Sequence, residues 1–303
     1  MVSKKIFIIG PPAAGKTCIT KAFFEGEQPD KLLSDFGSPE PTLGVEHYKC
    51  AWIDTDIGVL DSSGQEMSRF LDGEDIEKEM SFGSSDAIVY VFDIEDWMKN
   101  SKEILTNLKK AMSVQEKYAP NARMFSFCHK IDLIAIDPEE RVKIFEDVKK
   151  KIQKDLGIKV VFTSIDPNFI HTLFRSMQII LNDLSKKGTE LEQFIKDLLL
   201  KGESSALILL NRDYRVISER RSDDISVLSM YNVINFVKSI NKSFSKIKNG
   251  DFLAEGIVKS YKGNQVIIRG LKNNKYSIAF VIIFSEKATL KTVDRVLEFI
   301  GSS

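Results

Sequence analysis

Residues 10–17 hold the side chains best suited to phosphate chemistry, and they read Gly-Pro-Pro-Ala-Ala-Gly-Lys-Thr. The stretch matches the pattern G-x-x-x-x-G-K-[ST], in which backbone amides, a lysine and a hydroxyl surround a phosphate chain. An apolar run at residues 5–9 predicts a buried strand before it, and residues 18–25 predict a helix after it. Because phosphate binding requires this order of strand, loop and helix, the context favours a phosphate loop over a chance glycine turn.

The residue types within this loop predict a division of roles. Pro11 and Pro12 lack an N–H group, so the amides that cradle phosphate must come from residues 13–18. Lys16 would then neutralise the β- and γ-phosphates, and the Thr17 hydroxyl would bind Mg2+. The predicted phosphate-binding residues are Gly10, Ala13, Ala14, Gly15, Lys16, Thr17 and Cys18.

Thr42 is a second candidate, because it stands before a predicted strand at residues 45–53. The preceding segment, residues 26–41, is polar, holds three prolines and two glycines, and predicts a long loop. A threonine at this point can bind Mg2+ when a γ-phosphate draws the loop inward. By itself the residue is equally compatible with an ordinary surface threonine at a strand entrance.

The sequence Asp-Ser-Ser-Gly-Gln-Glu at residues 61–66 follows a short predicted strand at residues 57–60. Asp61 at the strand end would face Mg2+, Gly64 would let its backbone approach a γ-phosphate, and Gln65 would orient an attacking water. Ordinary turn chemistry also explains Asp-Ser-Ser-Gly, but its spacing from the phosphate loop favours the functional interpretation. Lys16, Thr42 and Gln65 form the predicted catalytic set, with Thr17, Thr42 and Asp61 as metal ligands.

His129-Lys130-Ile131-Asp132 follows another predicted strand, at residues 123–128, and indicates which base is bound. The Asp132 carboxylate can accept hydrogen bonds from the ring N–H and the exocyclic amine of guanine, a donor pair that adenine lacks. The alkyl stem of Lys130 can lie along the purine face. His129 stands where the commoner motif has asparagine. The alternative for Asp132 is a salt bridge at a strand end.

A last motif, Thr163-Ser164-Ile165, follows the predicted strand at residues 159–162. The backbone N–H of Ser164 would reach guanine O6, with Ile165 beside it. A near-continuous apolar run at residues 86–93 predicts a central parallel strand. Residues 101–118, 138–156 and 169–184 predict helices that alternate with the strands. The motifs at residues 10–17, 61–66, 129–132 and 163–165 each follow a strand end, where open α/β sheets bind ligands. The predicted fold is α/β, a P-loop NTPase of the Ras-like type with a mostly parallel sheet and helices on both faces.

Composition restricts the classes of partner. Formal net charge is zero, which argues against nucleic acid or an anionic membrane as the main partner. The three cysteines show no metal-ligand spacing and suit a reducing cytoplasm. No apolar run reaches the length of a membrane span, and the chain has no myristoylation or prenylation motif. A cytoplasmic protein is therefore expected, with any membrane recruitment made through partners.

The C-terminal part carries no nucleotide motif and predicts a smaller α+β domain after a linker at residues 185–188. The predicted helices are residues 191–200, 227–247 and 290–300, and the predicted strands are residues 206–211, 214–220, 252–261, 264–271 and 275–284. The alternation is also compatible with a ferredoxin-like module. An open sheet edge of this kind favours dimerisation.

The order of these motifs resembles that of Ras-like GTPases, and within them the Rag/Gtr family. The details that carry this resemblance are Val45-Glu46-His47, the histidine of His129-Lys130-x-Asp132, Tyr90-Val91-Phe92-Asp93-Ile94-Glu95 and Thr163-Ser164-Ile165. The chain is more similar to the A/B type than to the C/D type. Its two loop prolines and Asp61-Ser62-Ser63-Gly64 depart from the family pattern, as in a distant or archaeal relative.

The resemblance implies a GTPase domain at residues 1–185 and a roadblock or longin-like dimerisation domain at residues 186–303. It implies a GTP/GDP switch that requires Mg2+, hydrolyses GTP slowly, forms a homo- or heterodimer and works with GTPase-activating and exchange proteins. Neither the phosphate loop nor the segment before Thr42 holds an arginine, so the activating charge would be supplied in trans. The rival hypotheses are a pseudo-GTPase scaffold and an ATP-dependent P-loop enzyme, which Asp132 disfavours.

Overall fold

The computed structural model describes residues 2–27, 29–34, 45–134, 137–198, 205–222, 225, 227–247, 255–259, 265–271, 274, 276–285 and 290–301. The chain divides into two compact units. The first comprises residues up to 51 together with 56–177, and the second comprises residues 52–55 together with the chain from residue 178 onward. Within the described residues, no helix is both long and apolar enough to cross a membrane.

The first unit is built on a six-stranded sheet in the order β2-β3-β1-β4-β5-β6. Its strands are β1 (Val2–Ile9), β2 (Val45–Trp52), β3 (Thr55–Ser62), β4 (Ala87–Asp93), β5 (Arg123–His129) and β6 (Lys159–Phe162). The pairs β1–β4, β4–β5 and β5–β6 are parallel. All seven residues of β4 are buried, as its near-continuous apolar sequence requires of a central parallel strand. The mostly parallel α/β fold is confirmed.

Helices lie between these strands and after the last of them. They are α1 (Lys16–Thr20, continued as π-helix by Lys21–Glu25), α2 (Pro29–Ser34), α3 (Met67–Asp72), α4 (Asp75–Phe82), α5 (Ile94–Tyr118), α6 (Pro138–Val148, continued as π-helix by Lys149–Lys154) and α7 (Ile170–Leu184). Phe7 of β1 contacts Phe70 and Phe82 edge-on, with ring centroids 5.9 and 5.0 Å apart. This packing holds α3 and α4, and with them the segment after Gly64, against the sheet.

Two helices differ from the sequence prediction. Helix α2 lies inside the predicted loop at residues 26–41, of which residue 28 and residues 35–41 lie outside the described part of the chain. Helix α5 begins at residue 94 rather than 101, because the Asp93 carboxylate caps it by accepting from Glu95 N at 2.7 Å. Asn100 then interrupts the helix with non-helical backbone angles (φ −150°), which explains why the periodic pattern starts only after it.

The second unit contains a five-stranded sheet in the order β8-β7-β11-β10-β9, with antiparallel pairing throughout. Its elements are α8 (Lys186–Leu198), β7 (Ser205–Leu210), β8 (Val216–Arg221), α9 (Val227–Ile247), β9 (Glu255–Lys259), β10 (Gln265–Gly270), β11 (Phe280–Ser285) and α10 (Leu290–Ile300). From β7 onward, two strands, a helix, three strands and a helix follow in the predicted order. A ferredoxin-like module has a different order, strand–helix–strand–strand–helix–strand.

The predicted linker at residues 185–188 is wrong, because α8 begins at Lys186. Gly188 allows α8 to follow α7 so closely, because a Cβ at this position would lie 2.8 Å from Asn182 Cα. The Gly188 amide donates to the Ser185 hydroxyl at 2.9 Å. Glycine and serine read as linker residues, but here they let the ends of α7 and α8 approach closely.

Candidate functional site

The loop between β1 and α1 packs tightly onto its neighbours at both of its glycines. A Cβ on Gly10 would lie 1.9 Å from Val91 O. Gly15 has φ +90°, and a Cβ there would lie 2.5 Å from His129 Cδ2. Side chains are therefore excluded at both ends of the loop, and the motif's glycines follow from contacts with β4 and with the last residue of β5.

Lys16 is the first residue of α1, directly after this loop, and is 6% exposed. Its Nζ donates to Gly10 O at 2.9 Å and to Pro11 O at 2.8 Å. Burial lowers the pKa of the Lys16 amine to about 8, while the nearby Asp61 opposes that shift. Phosphate oxygens are stronger acceptors than these two carbonyls, so the ammonium is placed to exchange them for a bound polyanion.

Asp61, at the end of β3, is fully buried beside the loop. Its Oδ2 accepts from Thr20 Oγ1 at 3.1 Å, and the Thr17 hydroxyl also bonds its carboxylate. Its Oδ1 has no hydrogen-bond partner among the described residues. Burial raises the pKa of Asp61 to about 6, against the lowering effect of Thr17 and Lys16. A buried, unsatisfied carboxylate oxygen beside a hydroxyl fits a hard cation such as Mg2+.

The described residues hold no group of three or more histidines, cysteines or carboxylates that could bind a metal by themselves. This agrees with a Mg2+ ion held by one carboxylate, one hydroxyl, phosphate oxygens and water, which is how Mg2+ is usually bound beside phosphates. Thr42, the third predicted ligand, lies outside the described residues. The described part of the site therefore fits the ion through Asp61 and Thr17.

The turn after β3 touches the phosphate loop backbone to backbone. A Cβ on Gly64 would lie 2.4 Å from both Cα and N of Pro12. Ser63 caps the following 3-10 turn by accepting from Gln65 N at 3.3 Å, and the Gln65 side chain is exposed. Glycine at position 64 thus permits the close contact with Pro12. Gln65 is the next residue, and its exposed side-chain amide can contact a ligand.

On the other side of the loop, Lys130 spans from the base-binding motif to the phosphate loop. Its Nζ donates to Ala13 O at 2.7 Å and forms an ion pair with Asp93 Oδ2 at 2.8 Å. The backbone of Lys130 is left-handed, with φ +59°. The amine is therefore fixed by two acceptors from two other segments of the chain.

Asp132 is half-buried, and its Oδ1 accepts a hydrogen bond from the Ser164 hydroxyl. That hydroxyl also accepts from Asp166 N at 2.8 Å, so it is held in place. The Ser164 N–H donates to Thr172 Oγ1 at 3.2 Å; its contact with guanine stays a prediction. Ile165 is buried beside these residues. The motif after β6 thus orients the Asp132 carboxylate.

His129 fills the space beneath Gly15. It is fully buried, and its Nδ1 shares a 2.8 Å hydrogen bond with Thr163 Oγ1. Its Nε2 has no partner among the described residues. Burial lowers the pKa of His129 to about 3, so the imidazole is neutral at ordinary pH. The histidine that replaces the commoner asparagine therefore packs against the phosphate loop at Gly15.

This burial makes stability depend on pH through His129. The unfolded histidine protonates near pH 6.5 and the folded one only near 3, so stability is full above about pH 6.5 and falls as pH decreases toward 3. For nucleotide-free protein we expect a loss of about 1 kcal/mol between pH 7.5 and 5.5 from this residue. Urea unfolding of wild type and His129→Asn measures it.

Asp61 acts in the opposite sense, because its raised pKa of about 6 makes protonation stabilise the fold as pH decreases. The comparison with His129→Asn removes this contribution, since Asp61 is present in both proteins. The wild type should lose stability more steeply than the variant over this range. Parallel curves for the two proteins would mean that His129 is not buried as a neutral ring.

The described members of the predicted site therefore converge at one edge of the parallel sheet. The residues concerned are Gly10, Ala13, Ala14, Gly15, Lys16, Thr17, Cys18, Asp61, Gly64, Gln65, His129, Lys130, Asp132, Ser164 and Ile165. Two further residues of the site were not predicted: Thr20, which bonds Asp61, and Asp93, which pairs with Lys130. Asp93 carries the same signal as Asp61: a carboxylate at the end of an apolar strand.

Comparison with known proteins agrees with this geometry. The family model described as the Gtr1/RagA G protein conserved region matches residues 5–240. The GTP-binding protein gtr1 of Schizosaccharomyces pombe is 25% identical over 255 residues, which cover 81% of this chain and 78% of that protein. GTP-binding protein GTR1 of Saccharomyces cerevisiae is 22% identical over 270 residues, covering 82% and 83%. Ras-related GTP-binding protein A of Dictyostelium discoideum is 23% identical over 283 residues, covering 88% and 89%. The chain belongs to the Gtr1/RagA G protein family.

Proposed function

We propose that this protein binds GTP and GDP with Mg2+ and acts as a switch that hydrolyses GTP slowly. One observation supports this most strongly: the phosphate loop, with its buried Lys16, and the oriented Asp132 carboxylate lie at the same edge of the sheet. The first feature suits a polyphosphate and the second suits guanine. Relatives named as GTP-binding proteins support the same conclusion.

In this mechanism each residue has a defined task. Lys16 leaves the carbonyls of Gly10 and Pro11 and neutralises the phosphates, and Thr17 and Asp61 would hold the metal ion. Bound Mg2+ would supply charge neutralisation for in-line attack of water on the γ-phosphate. Gln65 orients that water, and Thr42 would be a further metal ligand in the triphosphate state. Neither the phosphate loop nor residues 26–41 contain an arginine, so the unassisted rate is slow.

Equilibrium binding tests the choice of nucleotide. We expect calorimetry in Mg2+ to give GDP an affinity at least about 100-fold above that of ADP, because adenine leaves the Asp132 carboxylate without its donors. GTP should show the same preference over ATP. Equal affinities for guanine and adenine nucleotides would contradict the proposal and favour an ATP-dependent P-loop enzyme.

A pseudo-GTPase scaffold, which binds guanine nucleotide without meaningful hydrolysis, is the second candidate. The absence of an arginine from the phosphate loop and from residues 26–41 favours it. The presence of Lys16, Thr17, Asp61 and Gln65 together favours hydrolysis. Measured turnover separates the two, because both would bind GDP equally well.

We further propose a Ras-like domain at residues 1–185 and a roadblock or longin-like dimerisation domain at residues 186–303. The five-stranded antiparallel sheet supports it, since β9 ends the sheet and its Ile257 is 47% exposed. A homodimer predicts twice the single-chain mass by light scattering at micromolar concentration. A monomer under all nucleotide conditions would contradict the homodimer. Dimerisation would then require a heterodimer with a related chain.

The remaining assignments follow from the same family. The similarity to gtr1 and to Ras-related GTP-binding protein A supports the A/B type. GTPase-activating proteins and exchange proteins are proposed as partners, because the site holds no activating arginine of its own among the segments named above. A cytoplasmic location is proposed, with membrane recruitment through those partners rather than by insertion.

A further inference from the structure

Asp93 ends β4 and makes contacts to two different parts of the chain with its two carboxylate oxygens. Oδ1 accepts from Glu95 N at 2.7 Å and caps α5. Oδ2 forms the 2.8 Å ion pair with Lys130 Nζ. The β4–β5 register explains the second contact, because it pairs Asp93 with His129, the residue directly before Lys130. The side chain of Asp93 is 9% exposed and that of Lys130 is 29% exposed.

The ion pair decides where the Lys130 side chain lies. Its Nζ is bound at once by Asp93 and by Ala13 O of the phosphate loop, at 2.8 and 2.7 Å. The side chain therefore reaches from the base-binding motif to the phosphate loop, between the two parts of the proposed nucleotide site. A lysine without Asp93 would keep one neutral acceptor and regain its rotamer freedom.

We propose that Asp93 is a positioning residue for nucleotide retention: it anchors Lys130 across the phosphate loop and thereby slows the release of guanine nucleotide. The inference rests on the proposed function, because it assigns the Lys130 stem to the face of the base. Asp93 itself touches no ligand in this account. Its effect on nucleotide release passes entirely through the Lys130 ammonium. This distinguishes Asp93 from a residue that only stabilises the fold.

The two carboxylate oxygens allow a variant that separates the two contacts. Asp93→Asn keeps a good helix-capping oxygen for Glu95 N and removes the charge that holds Lys130. Asp93→Ser, with another capping residue, is the second variant. Glu95→Gln is the matched control. It removes a carboxylate from the same turn, and that carboxylate forms only an exposed ion pair with Lys99, at 3.7 Å.

The experiment measures release of fluorescently labelled GDP from full-length protein in Mg2+ after addition of excess GDP. We expect Asp93→Asn to release the probe about 10- to 100-fold faster than wild type, the effect of losing one hydrogen bond between charged groups. Asp93→Ser should do the same, and Glu95→Gln should stay within about twofold of wild type.

Combination with Lys130→Met decides whether Asp93 acts through Lys130. Lys130→Met should accelerate release by itself, and adding Asp93→Asn to it should change the rate by less than about twofold. Unchanged release in Asp93→Asn and Asp93→Ser, or a full additional effect in the Lys130→Met background, would overturn the inference. Wild-type protein that fails to bind GDP would instead contradict the proposed function.

Discussion

Replacing Asp132 with alanine should weaken GDP binding by about 2–3 kcal/mol, or roughly 30- to 150-fold. The carboxylate accepts from two donors of guanine in the proposed complex, and its removal leaves both donors without partners. The Ser164 hydroxyl, which now donates to Asp132 Oδ1, cannot accept from both donors in its place. Calorimetric titration with GDP measures the loss.

Two controls make this result specific to the base. Asp155→Ala removes an exposed carboxylate from the same unit and should leave GDP affinity unchanged. Inosine diphosphate lacks the exocyclic amine, so wild type should bind it more weakly than GDP, while Asp132→Ala should bind the two with nearly equal affinity. A variant that retains the wild-type preference for GDP over inosine diphosphate would show that another residue contacts the amine.

Replacing Gln65 with leucine should reduce single-turnover GTP hydrolysis by about two orders of magnitude while leaving nucleotide affinity unchanged. Gln65 is exposed and follows Gly64, whose backbone contacts the phosphate loop at Pro12. Leucine keeps the size of the side chain but cannot orient water. Because the position is exposed, the substitution should alter the free energy of unfolding by less than about 0.5 kcal/mol.

The measurement pairs hydrolysis with binding on the same preparation. Wild-type and Gln65→Leu proteins are loaded with GTP, and phosphate release is followed after Mg2+ is added. Both should bind GDP with the same affinity, which serves as the control for folding. A variant that hydrolyses GTP at the wild-type rate would mean that Gln65 does not position the water, and would favour the pseudo-GTPase alternative if that rate is negligible.

The sequence was sufficient for the features that depend on one strand and the residue after it. The apolar run of β4 predicted a central parallel strand, and all of its residues are buried. Asp61 and Asp132 were predicted as site residues because each follows a predicted strand. Parallel strands bring their carboxyl ends to one edge, so strand order alone placed these side chains near the phosphate loop.

Features that depend on contacts between distant segments could not be predicted in this way. The neutral state of His129 results from burial beneath Gly15, and that contact joins residues more than 100 positions apart. The ion pair between Asp93 and Lys130 depends on the register of Asp93 with His129. Helix α5 begins seven residues early because Asp93 caps it and Asn100 interrupts its periodicity. A single sequence contains these residues but does not show which of them contact one another.

Single-turnover hydrolysis of GTP and ATP, measured side by side on full-length wild-type protein with Mg2+, distinguishes a GTPase from an ATP-dependent enzyme. We expect slow but measurable phosphate release from GTP, its loss on removal of Mg2+ by chelation, and no release from ATP above the protein-free background. Release from ATP at a rate equal to or above that from GTP would contradict the assignment of the site to guanine nucleotides.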